Sequence, residues 1–141
     1  MRDYGFNYDP LPNCGELWAL SSVEGHESVI ANGFLADNTL NEAIEIYMGD
    51  LVGDKVFNRY GTEFPLLIKI IDAAQDLSIQ VHPDDELAQQ RGMSRGKTEM
   101  WYVMLADPGS RLVSGFRRDT SADEYTAALA AGPLTKKMYS N

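Results

Sequence analysis

Residues 66–102, LLIKIIDAAQDLSIQVHPDDELAQQRGMSRGKTEMWY, carry the pattern that decides the fold. Leu77, Ile79 and Val81 alternate with Ser78, Gln80 and His82, and that period of two describes a strand with one apolar and one polar face. Residues two apart on a strand project to the same side, so Gln80 and His82 converge, and Glu99 follows His82 by 17 residues on another apolar run. An amide, an imidazole and a carboxylate gathered from two strands suggest a metal site. The donor set is borderline-hard and leaves open positions, which suits zinc and would also accept manganese, iron or cobalt.

Working outward, Phe64 to Ile71 reads as an apolar strand interrupted by Lys69, and the link Asp72 to Gln75 joins it to a strand from Asp76 to His82. Pro83, Asp84, Asp85 and Glu86 then place a proline and three acids where the first turn of a helix favours them, and that helix fades by Gly92. Met93 to Lys97 is a basic loop, Thr98 to Leu105 a strand, Asp107 to Ser110 a turn and Arg111 to Phe116 a further strand. Ser121 and Glu124 form a capping box that opens a helix through Tyr125, Ala128 and Leu129, closed by Gly132 and Pro133.

Toward the N-terminus, Thr39 and Glu42 form another capping box. Leu40, Ala43, Ile44, Tyr47, Met48 and Leu51 keep helical spacing up to Gly53, which predicts a helix of about three turns. Glu16 to Ser21 and Glu27 to Ala31 read as short strands separated at Glu24-Gly25 and closed by Asn32-Gly33, while residues 1–14 are an irregular lead-in. Short strands with turns outnumber the helices. The expected class is therefore mainly β, a sandwich or barrel with a lined interior and peripheral helices.

The chain has 141 residues, 44% of them hydrophobic, enough for one core, so a single domain over 1–141 is expected. Twenty-one acidic residues against 12 basic give a net charge of -9, a surface that repels polyanions and argues against nucleic acid as a partner. Cys14 is the lone cysteine, no basic-plus-apolar leader opens the chain, and the apolar run at 66–71 is far too short to cross a bilayer. A soluble cytoplasmic protein is the resulting expectation.

GELWALS at 15–21, FPLLIKIID at 64–72, LSIQVHPDD at 77–85 and GKTEMWY at 96–102 together resemble the type I mannose-6-phosphate isomerases, zinc enzymes built on the cupin jelly roll. The resemblance runs in order from Gly15 to Phe116 and implies a cupin-type jelly-roll β-sandwich or barrel, with this chain as the N-terminal portion of such an enzyme. It implies one Zn2+ per chain, or another divalent ion, on Gln80, His82 and Glu99, the three residues that strand spacing selects. The family's fourth ligand is a histidine from a later strand. The two histidines here are His82 and His26, and His26 precedes the metal motifs.

The resemblance further implies that Ser78, Lys69 and Lys97 contact the substrate, with Lys97 also the candidate for catalysis, while the base stays open among a lysine, a glutamate and a water. Period-two spacing is compatible with this, since it sets Ser78 beside Gln80 and Lys97 beside Glu99. The implied activity is the interconversion of mannose 6-phosphate and fructose 6-phosphate, with a small sugar phosphate as the partner. Two alternatives stand beside it: a non-catalytic cupin module that binds metal or sugar phosphate, and a structural fragment that forms a homodimer through exposed strand edges. Blander roles compete for single residues. Lys69 could pair with a carboxylate such as Asp72, Trp18, Trp101 and Tyr102 read as core aromatics, and Asp84 and Asp85 as a helix start.

Overall fold

A computed structural model describes residue 1 and residues 4–132 of the chain. Two compact units are present, Met1–Leu77 and Ser78–Asn141.

In the first unit, β1 (Glu16–Leu20) pairs antiparallel with β2 (Ile68–Ile71). The register sets Glu16 opposite Ile71, Leu17 opposite Ile70 and Trp18 opposite Lys69, then slips at a bulge before Leu20 meets Ile68. Helix α1 (Leu40–Tyr47) starts where the sequence signals it: the Thr39 hydroxyl accepts from the Glu42 amide and the Glu42 carboxylate accepts from the Thr39 amide. Ile44 and Ala43 on its inner face are 0% and 1% exposed and form the core of this unit with Met1. Two buried serines tie the core to its surroundings. Ser22 bonds Asn41 of α1 and accepts from the Phe64 amide at 2.9 Å, while the Ser21 hydroxyl accepts from the Val23 amide at 3.1 Å.

The three-turn helix expected up to Gly53 is instead broken. Met48 adopts φ 48°, and a second short helix, α2 (Gly49–Val52), follows it. Glycine is a poor residue for a helix interior, and the Asp54 carboxylate lies against the space a side chain would need at Gly49. Helix α3 (Asp54–Tyr60) was not anticipated in the sequence. Its signals are an acidic start at Asp54, apolar Val56, Phe57 and Tyr60 at helical spacing, and Gly61 with φ 63° just past the end.

The second unit carries α4 (Asp85–Gln90), capped by the Asp84 carboxylate accepting from the Leu87 amide at 2.9 Å, and α5 (Ala122–Ala130), capped by the Ser121–Glu124 box. Gly132 lies just past α5, whereas Pro133, the other half of the expected stop, lies outside the described residues. Phe116 and Tyr125 pack edge to face at 5.8 Å between ring centres. The expected turn at 107–110 forms, with the Ser110 amide donating to the Asp107 carbonyl and Gly109 at φ 88°.

The jelly roll is not what this architecture shows. Among the described residues there is one two-stranded antiparallel sheet and five helices, and the stretches 76–82, 98–105 and 111–116 do not form strands. The expected strand at Glu27 to Ala31 is reduced to a single bridge between Val29 and Thr39. The reason is the non-local nature of a strand. Alternation states which face would be buried, but the backbone is held only by a neighbouring strand. Val81 is 87% exposed and Leu77 and Ile79 are about half exposed, so the apolar face of this segment meets no core among the described residues. Helices need no such partner, and their local caps formed as written. Among the described residues, no helix is long and apolar enough to cross a membrane.

Candidate metal and substrate site

The second unit brings His82, Lys97 and Glu99 together. His82 Nε2 stands 3.3 Å from Glu99 Oε1, and Lys97 Nζ stands 2.9 Å from the same oxygen. The segment that carries Lys97 and Glu99 is fastened to the residues just after His82. The Lys97 amide donates to the Pro83 carbonyl at 3.1 Å, and the Gly96 amide donates to Asp85 Oδ1 at 2.9 Å. The approach of His82 and Glu99 thus rests on a tethered loop rather than on a sheet ladder.

His82 Nε2 is buried and makes no hydrogen bond, although a carboxylate oxygen faces it. A buried imidazole nitrogen with no hydrogen bond beside a carboxylate is unfavourable, and a cation held between the two relieves it. The spacing suits a cation. Two donors each ~2.0–2.1 Å from one ion in a tetrahedral arrangement stand ~3.3–3.4 Å apart. His82 and Glu99 therefore fit a divalent ion. Among the described residues, no third His, Cys, Asp or Glu joins them in a cluster.

The other residues singled out in the sequence divide into two groups. Gln80 donates its side-chain amide to the Ser78 hydroxyl at 3.0 Å, so these two polar side chains meet as residues two apart should, and the amide oxygen of Gln80 is the end left for a cation. Lys69 belongs to the first unit. Its ammonium is 2.9 Å from Glu16 Oε1 and 5.2 Å from the centre of the Trp18 ring, which explains how β2 carries a lysine. Asp72 pairs instead with the N-terminal amine at 3.3 Å.

The Glu99 carboxyl is held below its ordinary value of 4.5. The hydrogen bond from Lys97 is the chief cause, opposed by partial burial and supported by the charge of the same ammonium. Because the folded value is depressed, the pair's contribution to stability is present above the ordinary carboxylate value and is lost as pH falls through the lowered one. Lys97→Met is expected to raise the Glu99 midpoint, followed through its carboxyl carbon by NMR. An unchanged midpoint would show that the ammonium does not set this carboxylate.

Comparison with known proteins supplies a context for this cluster. Residues 5–115 match the family described as phosphomannose isomerase type I, catalytic domain. The chain is 36% identical over 136 residues to the mannose-6-phosphate isomerase ManA of Bacillus subtilis (strain 168), a match covering 94% of this chain and 40% of that protein. It is 39% identical over 128 residues to the mannose-6-phosphate isomerase of Streptococcus mutans serotype c, covering 90% of this chain and 39% of that one. The mannose-6-phosphate isomerase of Schizosaccharomyces pombe is 36% identical over 87 residues. The chain spans about two fifths of the length of the two bacterial relatives. No solved structure matches.

Proposed function

The chain belongs to the type I phosphomannose isomerases, through their catalytic domain, and on that premise we propose that it serves the interconversion of mannose 6-phosphate and fructose 6-phosphate in the cytoplasm. The observation that carries the reading is the buried, unbonded Nε2 of His82 facing Glu99 Oε1 at 3.3 Å.

In this proposal His82 and Glu99 hold a divalent ion, zinc, with the Gln80 amide oxygen as a further donor. A divalent ion bound there would supply Lewis acidity, polarising the carbonyl and stabilising the negative charge that builds on the first two sugar oxygens as a proton is moved between the first two carbons. Glu99 contributes the anion, its carboxyl held below the ordinary value chiefly by Lys97. Lys97 gives one of its three N–H donors to Glu99, and the remaining two can bind a substrate oxygen or the phosphate. In the proposed reaction it would orient the sugar and hold or pass a proton beside the reacting carbons. Ser78, already bonded to Gln80, adds a hydroxyl beside the metal donors. Lys69, held by Glu16, is proposed as a substrate contact on the family resemblance alone. The fold proposed for the whole family member is a cupin-type jelly roll forming one catalytic domain, in which the bare period-two segments at 77–82 and 98–105 gain their neighbouring strands.

One observation favours a second reading. Because His82 and Glu99 lack a third His, Cys, Asp or Glu among the described residues, the chain could bind a metal or sugar phosphate without turnover. A coupled assay for fructose 6-phosphate, run on the zinc-loaded chain with mannose 6-phosphate, separates the two. Formation of product above the metal-free rate supports the isomerase. Zinc uptake with no turnover leaves the binding module, and no zinc uptake overturns the isomerase and the metal-binding form of the module.

A further inference from the structure

We infer that Asp85 and Gly96 act as a clasp that positions Glu99 and Lys97 against His82, a positioning role that rests on the metal reading above. Asp85 is one residue inside α4, where an acid is ordinarily explained by the helix start alone. Asp84 already fills that role, since its carboxylate accepts from the Leu87 amide at 2.9 Å. The Asp85 carboxylate does something else. It accepts from the amide of Gly96, 11 residues further on, at 2.9 Å. The next amide, that of Lys97, donates to the Pro83 carbonyl at 3.1 Å. Two consecutive N–H groups of the loop are thereby fixed to the turn that immediately follows His82.

Gly96 is what lets the two backbones come this close. A Cβ at that position would lie 2.5 Å from the Pro83 carbonyl oxygen and 2.5 Å from the Asp84 carbonyl carbon, both backbone atoms that have no flexible end to swing away. Its φ is not in the left-handed region, so the requirement is for space and not for backbone freedom. Three residues beyond this contact, Glu99 Oε1 reaches its 3.3 Å approach to His82 Nε2. An added side chain must push the loop outward, and Glu99 moves with it. A donor pair that suits one ion at ~3.3 Å stops doing so after a displacement of about 1 Å, because metal–ligand distances tolerate only about 0.2 Å.

The test uses cobalt(II) as the probe ion on the full chain, because its visible absorption reports ligand geometry as well as occupancy. Asp85→Ala and Gly96→Ala are expected to weaken cobalt binding about 10–100-fold, the range for groups that orient a metal ligand, and to shift the visible bands. Asp85→Asn keeps an acceptor oxygen at the same place and is expected to stay within about threefold of the wild type with an unchanged spectrum. A metal-free readout accompanies it: the Gly96 and Lys97 amides are protected from hydrogen exchange in the wild type and in Asp85→Asn, and lose protection in Asp85→Ala. Wild-type affinity and spectrum in Asp85→Ala, or a loss in Asp85→Asn equal to that in Asp85→Ala, overturns the clasp. If the wild type takes up no cobalt, or if His82→Ala takes it up equally well, the metal reading itself fails and the clasp's role fails with it.

Discussion

Glu99→Ala and His82→Ala are each expected to lower the affinity of the chain for zinc by more than about a hundredfold, read by competition with a coloured chelator. The size follows from what remains. Groups that only orient a metal ligand account for about 10–100-fold when removed, so loss of a ligand itself must exceed that. Removing Glu99 strips the anion from the site and leaves Lys97, a positive charge, close to where the ion would enter. Removing His82 takes away a buried nitrogen that, alone among the buried side-chain polar atoms of the described residues, makes no hydrogen bond. Gln80→Ala is expected to have a smaller effect, since its oxygen is neutral and its amide end is tied to Ser78. Unchanged zinc affinity in both Glu99→Ala and His82→Ala would remove the site.

Ile44→Ala is expected to destabilise the first unit by about 2–5 kcal/mol, the usual range for truncating a fully buried aliphatic side chain. Ile44 is 0% exposed and is the bulkiest fully buried side chain in the described structure, so its truncation leaves a cavity in the core. Against a total stability of about 5–15 kcal/mol for an ordinary domain, that loss is large. Urea unfolding followed through Trp18 in a Trp101→Phe background measures it. Ile46→Ala, on the same helix but 61% exposed, is the control and is expected to stay within about 0.5 kcal/mol. Equal shifts for the two positions would contradict the placement of the core on the Ile44 face.

Features written in a few adjacent residues were legible in the sequence. Both capping boxes formed with reciprocal bonds, at Thr39–Glu42 and Ser121–Glu124, and Asp84 opened its helix. A cap is closed within four residues, so nothing distant can override it easily. Strand pairing depends on which segments meet. Among the described residues, Glu16–Leu20 and Ile68–Ile71 are the strands that pair, and the alternating run at 77–82 finds no partner. The break at Met48 and the following α2 and α3 depend on how the chain turns around Gly49 and Asp54, which helical spacing alone does not encode.

At the site, His82 and Glu99 stand 3.3 Å apart, but strand spacing is not what brings them there. They were selected as side chains on neighbouring strands, yet they meet without a strand at either position. The means of approach, through Asp85, Gly96 and the Pro83 carbonyl, cannot be read from residue spacing. A glycine in a basic loop and an acid at a helix start both have routine explanations, so neither announces a contact with the other.

The short chain distance between the imidazole and the carboxylate, 17 residues, also bears on folding. An ion gripped at both ends would act as a cross-link, and closing a ring of about 15 residues removes about 3 kcal/mol worth of disorder from the unfolded ensemble on the polymer estimate used for disulfides. Metal uptake would then stiffen the second unit as well as equip it for chemistry, and a chelator would loosen a stretch that sheet pairing does not secure.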